Sequence, residues 1–196
     1  MGTLYLVRHG QASFGAEDYD QLSELGARQS ERLGQYLADK GLALDAQRWP
    51  ELNEFDSHAI IATVHPHPLE KTDSPERYRE HFRLLRDGLR QWMNGVVSPK
   101  GMPSYQEFRH GVVSVLDHIR KNHGGNVLLV SSGGPISTAV GHVLATSPET
   151  TIELNLRIRN SSVTEFDFNP KRHTLVTYNT LPHLDKPELT SWITYS

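Results

Sequence analysis

The chain is 196 residues long, with a net charge of -3, 37% hydrophobic residues and no cysteine. That length suits one domain with a sizeable core, and the composition excludes a disordered or fibrous chain, disulfides, thiolate metal sites and cysteine nucleophiles. No Lys/Arg stripe, apolar run of spanning length or signal-peptide pattern stands out, so nucleic acid and membrane are not expected partners and the expected location is the cytoplasm.

"LYLV", residues 4–7, predicts a short buried strand that ends abruptly in Arg8-His9-Gly10. After a polar loop, Ser23 predicts the N-cap of a helix running to about Lys40, with Leu25, Leu33 and Leu37 inward and Gly41 as its stop. Residues 42–75 lack periodicity and hold Pro50, Pro66, Pro68 and Pro75, which predicts loop with short helical pieces. Helical spacing returns in Phe82, Leu85, Leu89 and Trp92, between Glu76 and Asn94. It recurs in Phe108, Val112, Val115 and Ile119, closed by "NHGGN". "VLLVS", 127–131, predicts a second, fully buried strand that runs into Ser132-Gly133-Gly134-Pro135 and a helix carrying Ile136, Val140, Val143 and Leu144. "SVTEFDF" and "TLVTYN" around "NPKRH" predict a hairpin. Buried strands alternating with amphipathic helices give the expected class, an α/β domain layered around a mostly parallel sheet.

Ligands of open parallel sheets bind beyond the carboxyl ends of the strands. Two strands here end in unusual chemistry. The first offers Arg8, a guanidinium suited to bidentate oxyanion contact, and His9, an imidazole able to act as a nucleophile. Gly10 lets the backbone approach closely. The second offers Ser132 and Gly133 at a helix N-terminus, which suits an anion. As neighbours, the two ends would make a phosphate-sized pocket containing its own nucleophile. Gln11 and Ser13 are candidates to line it, although turn polarity explains them almost as well. Ser132 with Gly133 also reads as a plain helix N-cap. The alternating His and Pro of residues 65–68 reads as an exposed turn, and no metal is expected there.

"LVRHGQA" followed by "LSELGARQSERLG" resembles the histidine phosphatase superfamily, also called the phosphoglycerate mutase-like family. "WPELNEFD", "VLLVSSGGPIS", "RNSSVTEF" and "YNTLPHL" look like further family blocks in the right order, so the resemblance covers nearly the whole chain. It implies a three-layer α/β/α fold over residues 1–196, with 42–105 an irregular, helical insertion forming a substrate lid. It also implies that His9 attacks phosphorus and becomes a phosphohistidine, that Arg8 holds phosphoryl oxygens, and that Glu54 protonates the leaving oxygen and later helps activate water. Glu51 and Asp56 stand close enough to compete for the acid's role. The implied partner is a small phosphorylated molecule, the implied chemistry needs neither metal nor cofactor, and oligomeric state is left open.

Two departures from the family pattern matter. The family's second strand ends in Ser-His-Gly, whose histidine contacts the transferring phosphoryl group, whereas this chain has Ser132 there. Losing one such donor costs ~2.7–4 kcal/mol, or about 10²–10³ in rate. The family also has a strand and helix resembling "SSPLxRAxQTA" before the acid-bearing loop, whose arginine is a second phosphate clamp. Here "GLALDA" runs straight into "QRWPELNEF". Either the chain lacks this unit or residues are missing from the sequence as read, and the intact flanking blocks favour the second. The leading expectation is a phosphomonoesterase. The alternative is a catalytically weakened or non-catalytic phosphate-binding module on the same fold.

Overall fold

In a computed structural model of the protein, which describes residues 1–13, 21–42, 49–67 and 74–195, the first predicted strand is β1 (Gly2–Arg8). Its apolar residues are buried on both faces, with Leu4, Tyr5, Leu6 and Val7 all under 9% exposed, because helices cover the sheet from either side. Ser23 caps α1 (Glu24–Asp39) by accepting from the Gly26 N–H, as the sequence predicts. Leu33 and Leu37 of α1 pack on Tyr5 and Val7. The alternate residues Leu4 and Leu6 face α4 (Tyr105–Asn122) and α5 (Gly133–Leu144), which supply Val112, Val115, Ile119, Ile136 and Val140. The period-2 alternation of one strand thus builds a three-layer α/β/α domain.

β2 (Gly125–Ser131), β3 (Val163–Asn169) and β4 (Arg172–Thr180) complete a sheet of order β2-β1-β3-β4. β1 and β2 are parallel, whereas β1–β3 and β3–β4 are antiparallel, so the sheet is mixed rather than mostly parallel. The reason is connectivity. A parallel neighbour needs a crossover, which helices supply between β1 and β2, while the two-residue turn at 170–171 forces β3 and β4 antiparallel.

A second difference concerns β2. It is an edge strand among the described residues, and Val130 is 60% exposed rather than buried. Residues 43–48, where the "GLALDA" junction falls, lie outside the described residues, and no strand is described between α1 and the 3₁₀ turn Pro50–Leu52.

The stretch after that turn contains α2 (Ser57–Ala62), a short helix as expected, and α3 (Pro75–Met93) carries the predicted apolar stripe. α2 and α3 form a second core of Ile60, Ile61, Leu85, Leu89 and Trp92, joined by Ile152 of α6 (Pro148–Arg157).

Candidate active site

β1 and β2 run in register with Arg8 opposite Ser131, so both predicted strand ends open at the same rim of the sheet. The backbone of His9 is held on both sides there. Its N–H donates to the Ser131 carbonyl (2.9 Å), its carbonyl accepts from the Ser161 N–H (3.0 Å), and the Arg8 N–H donates to Ser162 (3.0 Å). Ser161 sits in the left-handed region at φ 56°, a conformation costing a non-glycine residue roughly 1–2 kcal/mol. Its hydroxyl lies 2.9 Å from Nε2 of the buried His183. Gly10 follows because a Cβ at that position would stand 2.2 Å from the Gly26 carbonyl oxygen of α1. A bare backbone alone lets the turn sit this close to the helix. His9 Nδ1 lies 2.6 Å from the Gly10 carbonyl oxygen. That oxygen can only accept, so Nδ1 carries a hydrogen, which in the neutral ring puts the lone pair on Nε2.

Arg8 Nη1 donates to the carbonyls of Ile158 (2.6 Å) and Tyr195 (2.8 Å), which uses both of its hydrogens and fixes the plane of the guanidinium. Glu54 approaches from the loop before α2. The Ser131 hydroxyl donates to the Leu52 carbonyl (2.8 Å), and the Gly134 N–H donates to Glu54 Oε2 (2.9 Å). The acid-bearing loop is therefore tied to the end of β2 and to the first turn of α5. The Phe55 N–H completes the cradle at 3.1 Å, while the Phe55 ring packs edge-on against Trp92 and Phe108. Glu54 has an exposed outer side, yet the protein around its carboxylate desolvates the charge. That desolvation raises its pKa above 4.5, against the pull of the Gly134 and Phe55 N–H groups and of the Arg8 charge. Water reaching the exposed side moderates the shift without reversing it. The rival carboxylate Asp56 is committed elsewhere, capping α2 through the N–H groups of His58 and Ala59, and Glu51 packs its stem beside Gly111.

The remaining predicted residues have mixed fates. Ser132 occupies the N-cap position of α5, but its hydroxyl makes no capping bond. Gly133 begins that helix beside Asn155 and Ile158. The Gln11 side chain accepts from the Ser23 hydroxyl (2.9 Å), and the Ser13 N–H donates to Gln21 (2.8 Å), so both residues hold the turn against neighbouring chain.

Sequence reasoning passed over four residues. Arg159 donates to Asn179 through its N–H, Nε and Nη2. Its charge and that of Arg8 both act on Tyr178, whose hydroxyl burial otherwise pushes upward, so two guanidinium groups share this neighbourhood. Gln29 and Asn160 are buried polar side chains, and Thr194 meets both of them. Gln29 carried the one available signal, since it falls on the inward face four residues before Leu33. A surface cavity of about 610 Å³ bounded by Val64, Leu84 and Asn94 lies away from all these groups.

The model of the histidine phosphatase superfamily (branch 1) matches residues 64–181, more than half of the chain. A protein of Hydrogenobacter thermophilus named "Putative phosphoserine phosphatase 2" is 25% identical over 93% of this chain and 98% of its own length. A variant phosphoserine phosphatase of Entamoeba histolytica, solved with phosphoserine, superposes with a TM-score of 0.62 at 18% identity, covering 94% of this chain and all of that one. A mycobacterial glucosyl-3-phosphoglycerate phosphatase gives 0.61 at 17% identity over 92% and 99%.

Proposed function

The chain belongs to the histidine phosphatase superfamily, branch 1, and on that premise we propose that it hydrolyses phosphomonoesters through a phosphohistidine on His9. One observation carries the reading. At the shared strand rim His9 is held by its backbone and by the Nδ1 contact with the Gly10 carbonyl, and the Arg8 charge acts on Glu54, a carboxylic acid whose pKa is raised. In the first step Nε2 attacks phosphorus, the N–P bond forms, the P–O ester bond breaks and Glu54 gives its proton to the leaving oxygen. In the second, water attacks phosphorus, Glu54 takes the water proton and the P–N bond breaks, releasing inorganic phosphate. Arg8 neutralises phosphoryl charge throughout, and the residue span 42–105 forms a lid that sets specificity. The substrate is a small phosphorylated molecule. Phosphoserine is the first to try, because two of the relatives above carry that name.

The test compares wild type with H9A on p-nitrophenyl phosphate and attempts to trap an acid-labile phosphoramidate. Wild type should turn over and label, and H9A should lose at least 10³-fold in kcat. Equal turnover by the two proteins would end the proposal. Ser132, which stands where the family pattern has a histidine and carries no charge, favours a second reading, phosphate binding without turnover. That reading predicts thermal stabilisation by phosphate with no phosphoenzyme in wild type.

A further inference from the structure

Three polar side chains with no part in the chemistry above close a ring around the reacting pair. Gln29 is fully buried, and its amide is completely used. Oε1 accepts from the Gln11 N–H (2.8 Å), two residues past His9, while Nε2 donates to the Trp192 carbonyl (2.6 Å) and to Thr194 Oγ1 (3.0 Å). Asn160, 1% exposed, holds the same threonine twice. Its N–H donates to the Thr194 carbonyl (2.9 Å) and its Nδ2 to Thr194 Oγ1 (2.8 Å). On either side of this hub the chain meets the site directly. Tyr195, the next residue, gives its carbonyl to Arg8 Nη1, and Ser161, next to Asn160, gives its N–H to the His9 carbonyl. The hydroxyl of Thr194 is thus the point at which the nucleophile's turn, the nucleophile's carbonyl and the guanidinium are referred to one another.

We propose that Thr194, fixed by Gln29 and Asn160, is a positioning residue for phosphoryl transfer, setting Arg8 relative to His9. The idea rests on the phosphatase reading for its kinetic consequences but not for its binding consequences. A hub of this kind acts on geometry, and misplacing a charge clamp by a fraction of an ångström is felt most where phosphoryl charge must be matched. A buried network also behaves as a unit, so cutting it at either end gives one phenotype.

The experiment measures p-nitrophenyl phosphate kinetics and, independently, the Kd of inorganic phosphate by calorimetry for wild type, T194V, T194S and Q29M. T194V is isosteric, and its circular dichroism should match wild type. We expect T194V and Q29M to lower kcat 10- to 100-fold with KM changed less than threefold and to weaken phosphate binding by at least fivefold. T194S, which keeps the hydroxyl, should restore both to within threefold. A merely structural threonine would move the melting temperature and leave the kcat-against-KM split and the serine rescue unaffected. Wild-type kinetics in T194V, or T194S as impaired as T194V, overturns the proposal. If wild type binds phosphate without turning over, the phosphatase reading fails alone and the Kd comparison decides this one. A wild type that does neither overturns both.

Discussion

Glu54 shows how one carboxylate is given two states. Desolvation by the surrounding protein favours the protonated form, and the Gly134 and Phe55 N–H groups and Arg8 favour the ionised form, a balance that suits the proposed mechanism, in which the group gives a proton in one step and takes one in the next. Because the folded pKa is raised, protonation persists to higher pH than in a free glutamate, and kcat for a poor leaving group should fall as pH rises through that raised value. E54Q should remove this limb of the profile and lower kcat by about 10²–10⁴-fold for an alkyl phosphate, with a smaller loss for p-nitrophenyl phosphate. Stability follows the same sign. The folded state binds the proton more tightly than the unfolded chain, so this group's contribution is greatest below the unfolded pKa and is lost as pH rises through the folded one. E54Q should therefore melt higher than wild type at pH 8 and equally near pH 4. A pH-independent difference in melting temperature would contradict the placement of the carboxylate.

At the scale of elements, the site depends on where α5 begins. Its first turn is bare, and the space left by Gly134 is filled by Glu54 and Phe55. A Cβ there would fall 2.1 Å from Oε1 and 2.4 Å from the aromatic ring. G134A should leave α5 helical, because alanine is the better helix former, yet push the acid-bearing loop away. Its activity should drop by about 10²-fold or more with the pH profile of E54Q, read by kinetics and far-UV circular dichroism together. Wild-type activity in G134A would detach Glu54 from the site. The elements involved differ in how far the sequence discloses them. β1, α1, α3, α4 and the β3–β4 hairpin were legible because periodicity and caps are local. Arg8, His9 and Glu54 were candidates that motifs alone could name. Gln29, Asn160, Thr194 and Arg159 were not, because each acquires its role through partners 18 to 165 positions away. An isolated Gln on a helix face or a Thr near the last residues has the same local signature whether it is a hub or solvent-facing.

For the whole molecule, the element that departs from its sequence pattern is β2. "VLLV" reads as a doubly covered strand, since four apolar residues in a row ordinarily mark one. The sheet instead ends there among the described residues, and Val130 faces solvent at 60% exposure on the α1 side. Sequence pattern reports what a strand could bury, whereas topology decides whether a neighbour exists to bury it. A "SSPLxRAxQTA"-like block is the kind of unit that supplies such a neighbour, and among the described residues β2 has an open edge beside the exposed Val130. Such an edge is a template for association in extended pairs, and a charged residue on it is the common natural remedy. V130K should fold with stability within about 0.5 kcal/mol of wild type, since an exposed side chain gives up little. It should also scatter less light than wild type on incubation at high concentration a few degrees below the melting temperature. The two measurements separate the alternatives. A destabilisation of about 2 kcal/mol or more would mean that Val130 is packed in solution, as it would be if the edge were covered, and unchanged scattering at unchanged stability would mean that the edge is not where this chain associates.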